Sequence, residues 1–350
     1  MSTKGSLKGV HNTKLSDRLK RGPVLCAEGY IFELERRGYV QAGAYVPEVV
    51  LEHPEVVVQL HREFLRAGTD VLPALTYYGH REKLKLVGRE QDLELLNRQA
   101  VRLAHEAAGQ ADVLIAGNIC NTWAYEPNSK KAADEVRRQY TEQLGWAVEE
   151  GIDFVLAETI EYVGEALIAL EVIQSFGLES VINFSPIYEQ SKDGYDWVEA
   201  CKILEDAGAT VVGFNCARGP QTLLPLGERL AGVATGPISL VPVPYYTTPS
   251  RKSFQFLQRR AGGSAYTVGL DAHLLDRQEA AEFAIEAQAL GVQFIGLCCG
   301  AGPQHIRAVA EALGRHPEAS KYSADMSRHG LLGTDETVQG HEKQFLELWK

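Results

Sequence analysis

Three of the six cysteines stand where they could bind one metal ion together. Cys216 ends the apolar run GFNC (213–216), and the adjacent Cys298 and Cys299 end another run, GLCCG (296–300). Thiolates are preferred ligands of zinc, and three protein ligands with an open fourth position are typical of a catalytic zinc site. The pattern therefore predicts a Zn²⁺ site formed by these three cysteines.

Other interpretations of the cysteines stay open. A buried free cysteine is often only a small hydrophobic residue. A redox dithiol is a further alternative, although the C-x-x-C spacing is absent and adjacent cysteines form only a strained disulfide. Cys26 and Cys120 finish or follow apolar runs and are candidates for neighbours of the metal, whereas Cys201 falls in a helical segment and is expected in the core.

The elements that must position these cysteines are repeated βα units. Eight short apolar runs begin at residues 23, 70, 112, 153, 180, 210, 238 and 293. Their nearly continuous apolarity is typical of parallel strands that are covered on both faces. Segments with helical periodicity lie between them, at 47–67, 82–109, 130–151, 163–177, 197–208 and 278–291. Units of about 35 to 45 residues predict a (β/α)₈ TIM barrel of the α/β class.

The barrel is expected to occupy residues 1–315, followed by a short C-terminal extension at 316–350 that packs on the barrel or on another subunit. A long insertion at 247–266 follows the seventh strand. A doubly wound sheet is the alternative fold, but AEGY (27–30) stands where a G-x-G-x-x-G fingerprint would follow the first strand. In a barrel the site lies at the carboxyl ends of the strands, so Cys216 on strand six approaches the cysteine pair on strand eight.

Charge and hydropathy exclude several classes of partner. Lys and Arg number 35 against 46 Asp and Glu, a formal net charge of −11, which is the wrong sign for binding a phosphate backbone. No run of about 18 apolar residues is present, and the first twenty residues are polar. We therefore expect a cytoplasmic protein that acts on small molecules, with neither nucleic acid nor a membrane as a partner.

The sequence resembles the zinc-dependent homocysteine S-methyltransferases, most closely the betaine-dependent ones. The resemblance covers residues 15–312 and is carried by FELERRGYV (32–40), EHPE (52–55), QLHREFLRAG (59–68), GFNC (213–216) and CCGxxPxHIR (298–307). It implies a barrel enzyme in which Cys216, Cys298 and Cys299 bind Zn²⁺ and homocysteine is the thiol acceptor, giving methionine. It also implies that Tyr78 can occupy the metal when the thiol is absent, and that the chain forms a homo-oligomer.

Substrate contacts follow from the same resemblance. Glu158 matches a glutamate near the amino group of the acceptor, and Tyr45 matches a tryptophan that contacts the methyl donor. A methylammonium or sulfonium donor suits aromatic faces, each of which contributes about 0.5 to 2 kcal/mol through cation–π attraction. Further candidates for substrate contact are Glu28, Gly29, Tyr77, Trp123, Asn215 and Tyr246.

The chain departs from the betaine enzymes at three of these places. Ala27 stands where an aspartate would hold the homocysteine ammonium, with Glu28 one residue further on as a substitute. Ala74 and Thr159 replace a threonine and a tyrosine near the acceptor. The alternatives are a different donor or acceptor thiol, a zinc enzyme of another class that activates water, and a metal-storing barrel without turnover.

Overall fold

The structure is a computed structural model that describes residues 14–328, 344–345 and 347–348. Its eight strands pair in parallel in sequence order, and β8 pairs with β1 to close the barrel. The strands are β1 (Val24–Ala27), β2 (Val71–Pro73), β3 (Leu114–Cys120), β4 (Phe154–Ile160), β5 (Ser180–Phe184), β6 (Val211–Asn215), β7 (Ile238–Val241) and β8 (Phe294–Leu297). The closed order confirms the predicted (β/α)₈ barrel and excludes the doubly wound sheet.

Helices cover the outside of the barrel. In the described residues the α-helices are α1 (Leu15–Leu19), α2 (Tyr30–Arg36), α3 (Val49–Glu52), α4 (Pro54–Ala67), α5 (Arg81–Leu86), α6 (Leu93–Ala108), α7 (Lys130–Glu150), α8 (Val163–Ser175), α9 (Trp197–Asp206), α10 (Pro220–Ala231), α11 (Arg277–Ala289) and α12 (Pro303–Ala312). None of the helices in these residues is long and apolar enough to cross a membrane.

Every residue of the eight strands is buried, as expected of strands that pack on side chains of the barrel interior and on the helices outside. The apolar runs were therefore sufficient to find all eight strands. β3 and β4 are longer than their apolar runs and extend to Cys120 and Ile160, so Glu158 lies within β4 and pairs in register with Cys120.

Two predicted helices are each divided in the structure. The segment 82–109 contains α5, a short 3₁₀ turn and α6, because Gly88 takes a positive φ of 67° that ends the first helix. The segment 47–67 contains α3 and α4, and α4 starts with Pro54 at its first position after His53, whose backbone is not helical. Proline lacks the backbone N–H that a helix running through this position would need.

The connection between β7 and α11 is long and carries two 3₁₀ turns, Phe254–Phe256 and Leu270–His273, at the carboxyl ends of the strands. At the other end of the chain, the segment after α12 packs on the barrel. Arg315 donates to Asp70 at 2.6 Å, and the carbonyl of Ala319 accepts from Arg307 at 3.3 Å. The rest of the predicted extension, at 329–343, 346 and 349–350, lies outside the described residues.

Candidate active site

The three predicted cysteines meet at the carboxyl ends of β6 and β8. Their Sγ atoms all lie within 4.8 Å of one another, and those of Cys298 and Cys299 are 3.8 Å apart. Backbone hydrogen bonds prolong the sheet and hold them there: the Cys216 N–H donates to Val241 at 2.9 Å, and the Cys298 N–H donates to Pro242 at 2.8 Å. The cysteines are reduced, and the first two are buried.

The local backbone turns the cysteines toward a common point. Cys216 and Ala217 both have positive φ angles, 57° and 52°, so the chain bends sharply as β6 ends. Gly300, with φ 100°, follows the cysteine pair, and a Cβ atom there would lie 2.3 Å from Oη of Tyr245. Only glycine fits this turn, which explains the glycine after the pair.

The electrostatics of the three thiols suit a cation. Hydrogen bonds from Cys298 and Cys299 hold the pKa of the Cys216 thiol well below its usual range. Burial raises the pKa of Cys298, and the hydrogen bond with Cys216 raises that of Cys299. The Cys216 thiolate is thus stabilised by hydrogen bonds from two protonated thiols. All three sulfurs can be ionised together only if a positive charge lies among them. The three residues fit a metal ion that binds thiolates.

A pair of buried carboxyl groups lies directly beside the thiols. Glu28 follows β1, and its carboxylate, that of Glu158 and Sγ of Cys298 contribute ligand atoms within 4.8 Å of one another. Nδ2 of Asn215 donates to Glu28 at 3.1 Å and to Glu158 at 3.0 Å, and lies 3.8 Å from Sγ of Cys298. Because the amide already binds all three groups, this second cluster is organised around Asn215.

Burial shapes the protonation of the carboxyl pair. It raises the pKa of Glu28 well above its ordinary value, and the nearby Glu158 carboxylate raises it further. Burial also raises the pKa of Glu158 to about 7, although Asn118 donates to its Oε1 at 2.6 Å. The second oxygen of Glu28 has no hydrogen-bond partner. The pair is therefore short of positive charge, as a site for a substrate ammonium would be.

A cavity of about 580 Å³ opens above the thiols at the mouth of the barrel. Cys216 and Cys299 line it, and aromatic rings form much of the wall. The lining aromatic residues are Phe32, Tyr45, Tyr77, Tyr78, Trp123, Tyr125, Tyr162, Phe254 and Tyr266. A second space of about 20 Å³ is lined by Glu28, Glu158 and Ala74, and shares Tyr77 and Cys299 with the large cavity.

The aromatic wall is tied together by a buried lysine. Nζ of Lys83 lies 3.8 Å from the ring centre of Tyr78 and 3.9 Å from that of Trp123, and it donates to the carbonyl of Ala44 at 3.1 Å. Burial lowers the pKa of Lys83 to about 8. One ammonium group therefore links two aromatic residues of the wall to the backbone just before Tyr45.

The sequence-predicted residues are not all brought together. Tyr246 is half exposed and does not line the cavity, and its backbone N–H donates to the carbonyl of His273. Gly29 precedes α2 and packs so closely that a Cβ atom would lie 2.1 Å from the carbonyl oxygen of Ala301. The other predicted contacts line one of the two spaces or, like Asn215 and Cys298, bind residues that do.

The remaining cysteines lie outside the thiol cluster. Cys120 accepts a hydrogen bond from the backbone N–H of Tyr78 at 3.3 Å, so it positions that tyrosine. Cys201 is buried in α9, as expected, and lies 3.8 Å from the carbonyl of Gly213. Cys26 is buried in β1 and belongs to neither group of candidate metal ligands in the described residues.

Several lining residues were not found by sequence reasoning. They are Asn118 in β3, the polar residues Asn121, Glu161, Glu165 and Lys192, and Tyr266 in the long β7–α11 connection. The polar ending of β3 was an available signal for Asn118. The residues from loops carry no comparable signal, because their neighbours come from distant parts of the chain.

Comparison with known proteins agrees with this geometry. The model of the homocysteine S-methyltransferase family matches residues 28–313, a stretch that includes the carboxyl pair and all three cysteines of the cluster. The chain belongs to the homocysteine S-methyltransferase family.

Relatives in the family differ in the donor that their names give. Betaine–homocysteine S-methyltransferase 1 of Danio rerio is 35% identical over 351 residues, which cover 95% of this chain and 82% of the relative. S-methylmethionine–homocysteine S-methyltransferase BHMT2 of Pongo abelii is 34% identical over 326 residues, which cover 91% and 85%. Similarity at this level assigns the chain to the family without separating the two donors.

Solved structures show the same fold. The metallated form of the homocysteine methyltransferase MmuM from Escherichia coli aligns with a TM-score of 0.66 at 18% identity, covering 83% of this chain and 96% of that protein. This chain therefore has the same overall fold as that protein.

Proposed function

We propose that this protein transfers a methyl group from a betaine or sulfonium donor to the thiol of homocysteine, at a zinc ion bound by Cys216, Cys298 and Cys299. The observation that carries the proposal is the convergence of three sulfur atoms within 4.8 Å beside an aromatic cavity that Cys216 and Cys299 line. Membership of the family and the names of its relatives support homocysteine as the acceptor.

Zinc suits the donor set. Three thiolates are soft ligands, and they leave a fourth position for a substrate sulfur. Bound there, the ion would displace the proton of the acceptor thiol, whose free pKa is near 8.5, and so supply a thiolate nucleophile at neutral pH.

The carboxyl pair would orient the acceptor. Glu28 and Glu158 face the small space beside Cys299, and both are buried. An ammonium group placed between them would supply the positive charge that the pair lacks. Asn215 donates hydrogen bonds to both carboxylates and keeps them in position. This arrangement gives Glu28 the role that an aspartate one residue earlier plays in the betaine enzymes that the sequence resembles.

The cavity wall would bind the donor. A quaternary ammonium or a sulfonium carries a diffuse positive charge that aromatic faces attract by about 0.5 to 2 kcal/mol each. Tyr45, Tyr77, Trp123 and Tyr266 line the cavity that contains Cys299. Holding the donor methyl group in line with the acceptor sulfur turns a reaction between two solutes into one between bound groups.

The test is methyl transfer by the purified zinc-loaded protein. Homocysteine is incubated with glycine betaine or S-methylmethionine carrying deuterated methyl groups, and labelled methionine is measured by mass spectrometry. Labelled methionine from one donor supports the proposal and identifies that donor. No labelled methionine from either donor contradicts it, and hydrolysis of a donor without any thiol would indicate water activation instead.

A further inference from the structure

One lysine of the described residues lines the large cavity directly, whereas Lys83 contacts the rings of the lining residues Tyr78 and Trp123. Among the described residues that line the large cavity, Lys192 is the only cationic side chain, whereas Glu161 and Glu165 are both acidic. Lys192 lies in the β5–α9 connection, and Glu161 directly follows β4. In the closed barrel Glu161 follows the strand opposite β8, and Lys192 follows β5, which lies next to β6, the strand that ends before Cys216.

The turn that carries Lys192, residues 191–195, is rigidly built. The Ser191 N–H donates to the carbonyl of Tyr195 at 2.9 Å, and the Tyr195 N–H donates to Oγ of Ser191 at 2.9 Å. Both carboxylate oxygens of Asp193 accept backbone N–H groups at the start of α8, at 3.0 Å each. The turn is thereby fastened to the β4–α8 junction, which fixes the position of Lys192 before any substrate binds.

The ammonium group of Lys192 is held at the cavity but is not enclosed. Nζ lies 2.6 Å from Oε2 of Glu161 and 5.5 Å from the ring centre of Tyr162. The side chain remains 40% exposed, and an ammonium group has three donors, so hydrogen bonds to a further anion are available. Oδ1 of Asn121, another lining residue, is buried without a hydrogen-bond partner.

The geometry of methyl transfer limits which part of the methyl donor can lie near Lys192. Methyl transfer by displacement needs the acceptor sulfur, the methyl carbon and the leaving atom in one line, so the rest of the donor extends away from the cysteines. Among the described residues, Lys192 is the cation that such a donor would meet in the wall of the same cavity. Without a cation there, Glu161 and Glu165 would repel any donor that carries a carboxylate.

We propose that Lys192, positioned by Glu161 and by the 191–195 turn, binds the anionic group of a zwitterionic methyl donor and so selects donors that carry a carboxylate. The inference rests on the proposed function and adds to it a residue that recognises the donor at the end opposite the transferred methyl group. The same chemistry would also accept the carboxylate of homocysteine, and the experiment separates the two sources.

The test compares the wild type with Lys192→Met and Lys192→Arg. Steady-state kinetics are measured with glycine betaine and S-methylmethionine, and tetramethylammonium and trimethylsulfonium serve as competing ligands without a carboxylate. Lys192→Met is expected to raise KM of the active carboxylated donor at least tenfold, while Ki of the carboxylate-free ligands and KM of homocysteine change less than twofold. Lys192→Arg keeps the charge and is expected to restore KM to within threefold of the wild type.

Lys202→Met is the matched control, because Lys202 is ion-paired on the surface of α9 with Glu205 and Asp206 and does not line the cavity. An unchanged donor KM in Lys192→Met overturns the inference, and so does a rise confined to homocysteine. A wild type that produces no methionine from either carboxylated donor refutes the proposed function itself, and zinc content and a thermal melt confirm that each variant is folded.

Discussion

Nδ2 of Asn215 lies 3.0 Å from Oε2 of Glu158, and the same amide group reaches Glu28 and the sulfur of Cys298. Its Oδ1 accepts the backbone N–H of Thr159 at 2.8 Å, which fixes the orientation of the amide. One side chain at the end of β6 therefore connects the thiol cluster to the carboxyl pair. In the proposed reaction, the distance between the metal and the acceptor ammonium would depend on this amide.

Replacing Asn215 should uncouple these two halves of the site. Asn215→Ala leaves two buried carboxyl groups without their shared donor, and kcat/KM for methyl transfer is expected to fall about 10- to 100-fold, as for other residues that orient metal ligands. Zinc content should stay near one ion per chain, since all three cysteines remain. Asn215→Asp should be worse, because it adds a third carboxylate to the pair. Wild-type kinetics in Asn215→Ala would contradict this role.

Glu158→Gln should weaken binding of the acceptor. The variant keeps the shape of the side chain but removes the charge that would face the substrate ammonium, and KM for homocysteine is expected to rise at least tenfold. The donor KM should change less than twofold. Glu171→Gln on the exposed face of α8, where Glu171 pairs with Arg137, is the control. Equal rises in both KM values would argue against a specific contact with the acceptor.

Each cysteine of the cluster should be needed for metal binding. Cys216→Ser, Cys298→Ser and Cys299→Ser replace a soft thiolate by a hydroxyl that zinc binds poorly, so zinc content should fall from about one ion per chain to below a tenth. Activity should fall at least 100-fold in parallel. Cys201→Ser in α9 removes a thiol outside the cluster and should retain the metal. Full zinc in any of the first three variants would show that the cysteine is not a ligand.

Stability should decline in mild acid because of buried histidines. His61 and His80 are buried, and burial lowers the pKa of each to about 3 from an ordinary value near 6.5. Below pH 6.5 the unfolded chain binds protons that the folded chain does not, so the free energy of unfolding falls by about 1.4 kcal/mol per pH unit for each histidine.

His61→Gln should therefore remove about 1.4 kcal/mol per pH unit from the slope of unfolding free energy between pH 6 and 4. His105→Gln is the matched control, because His105 is an exposed histidine on α6. Denaturant unfolding at several pH values provides the measurement. An unaltered slope in His61→Gln would mean that this imidazole becomes protonated without unfolding.

The strands and the thiol cluster could be predicted because their signals are local. A buried parallel strand needs an unbroken apolar run, and barrel closure places the end of every strand at one face, so Cys216 and the cysteine pair had to approach one another. The resemblance to the family supplied the roles expected of Glu158 and Tyr78, which stay predictions. The division of the helical segment 82–109 was missed because its periodicity continues across Gly88, whose positive φ ends the helix.

The sequence by itself thus determined the barrel, the order of its strands and the convergence of the three cysteines. Only the tertiary structure decided which loop residues share the cavity: Tyr266 lines it and Tyr246 does not, and Lys192 meets Glu161 across two different connections. The physical reason is that strand positions follow from short-range hydrophobic patterns. The path of a loop, in contrast, is set by hydrogen bonds and packing with residues far away in the chain.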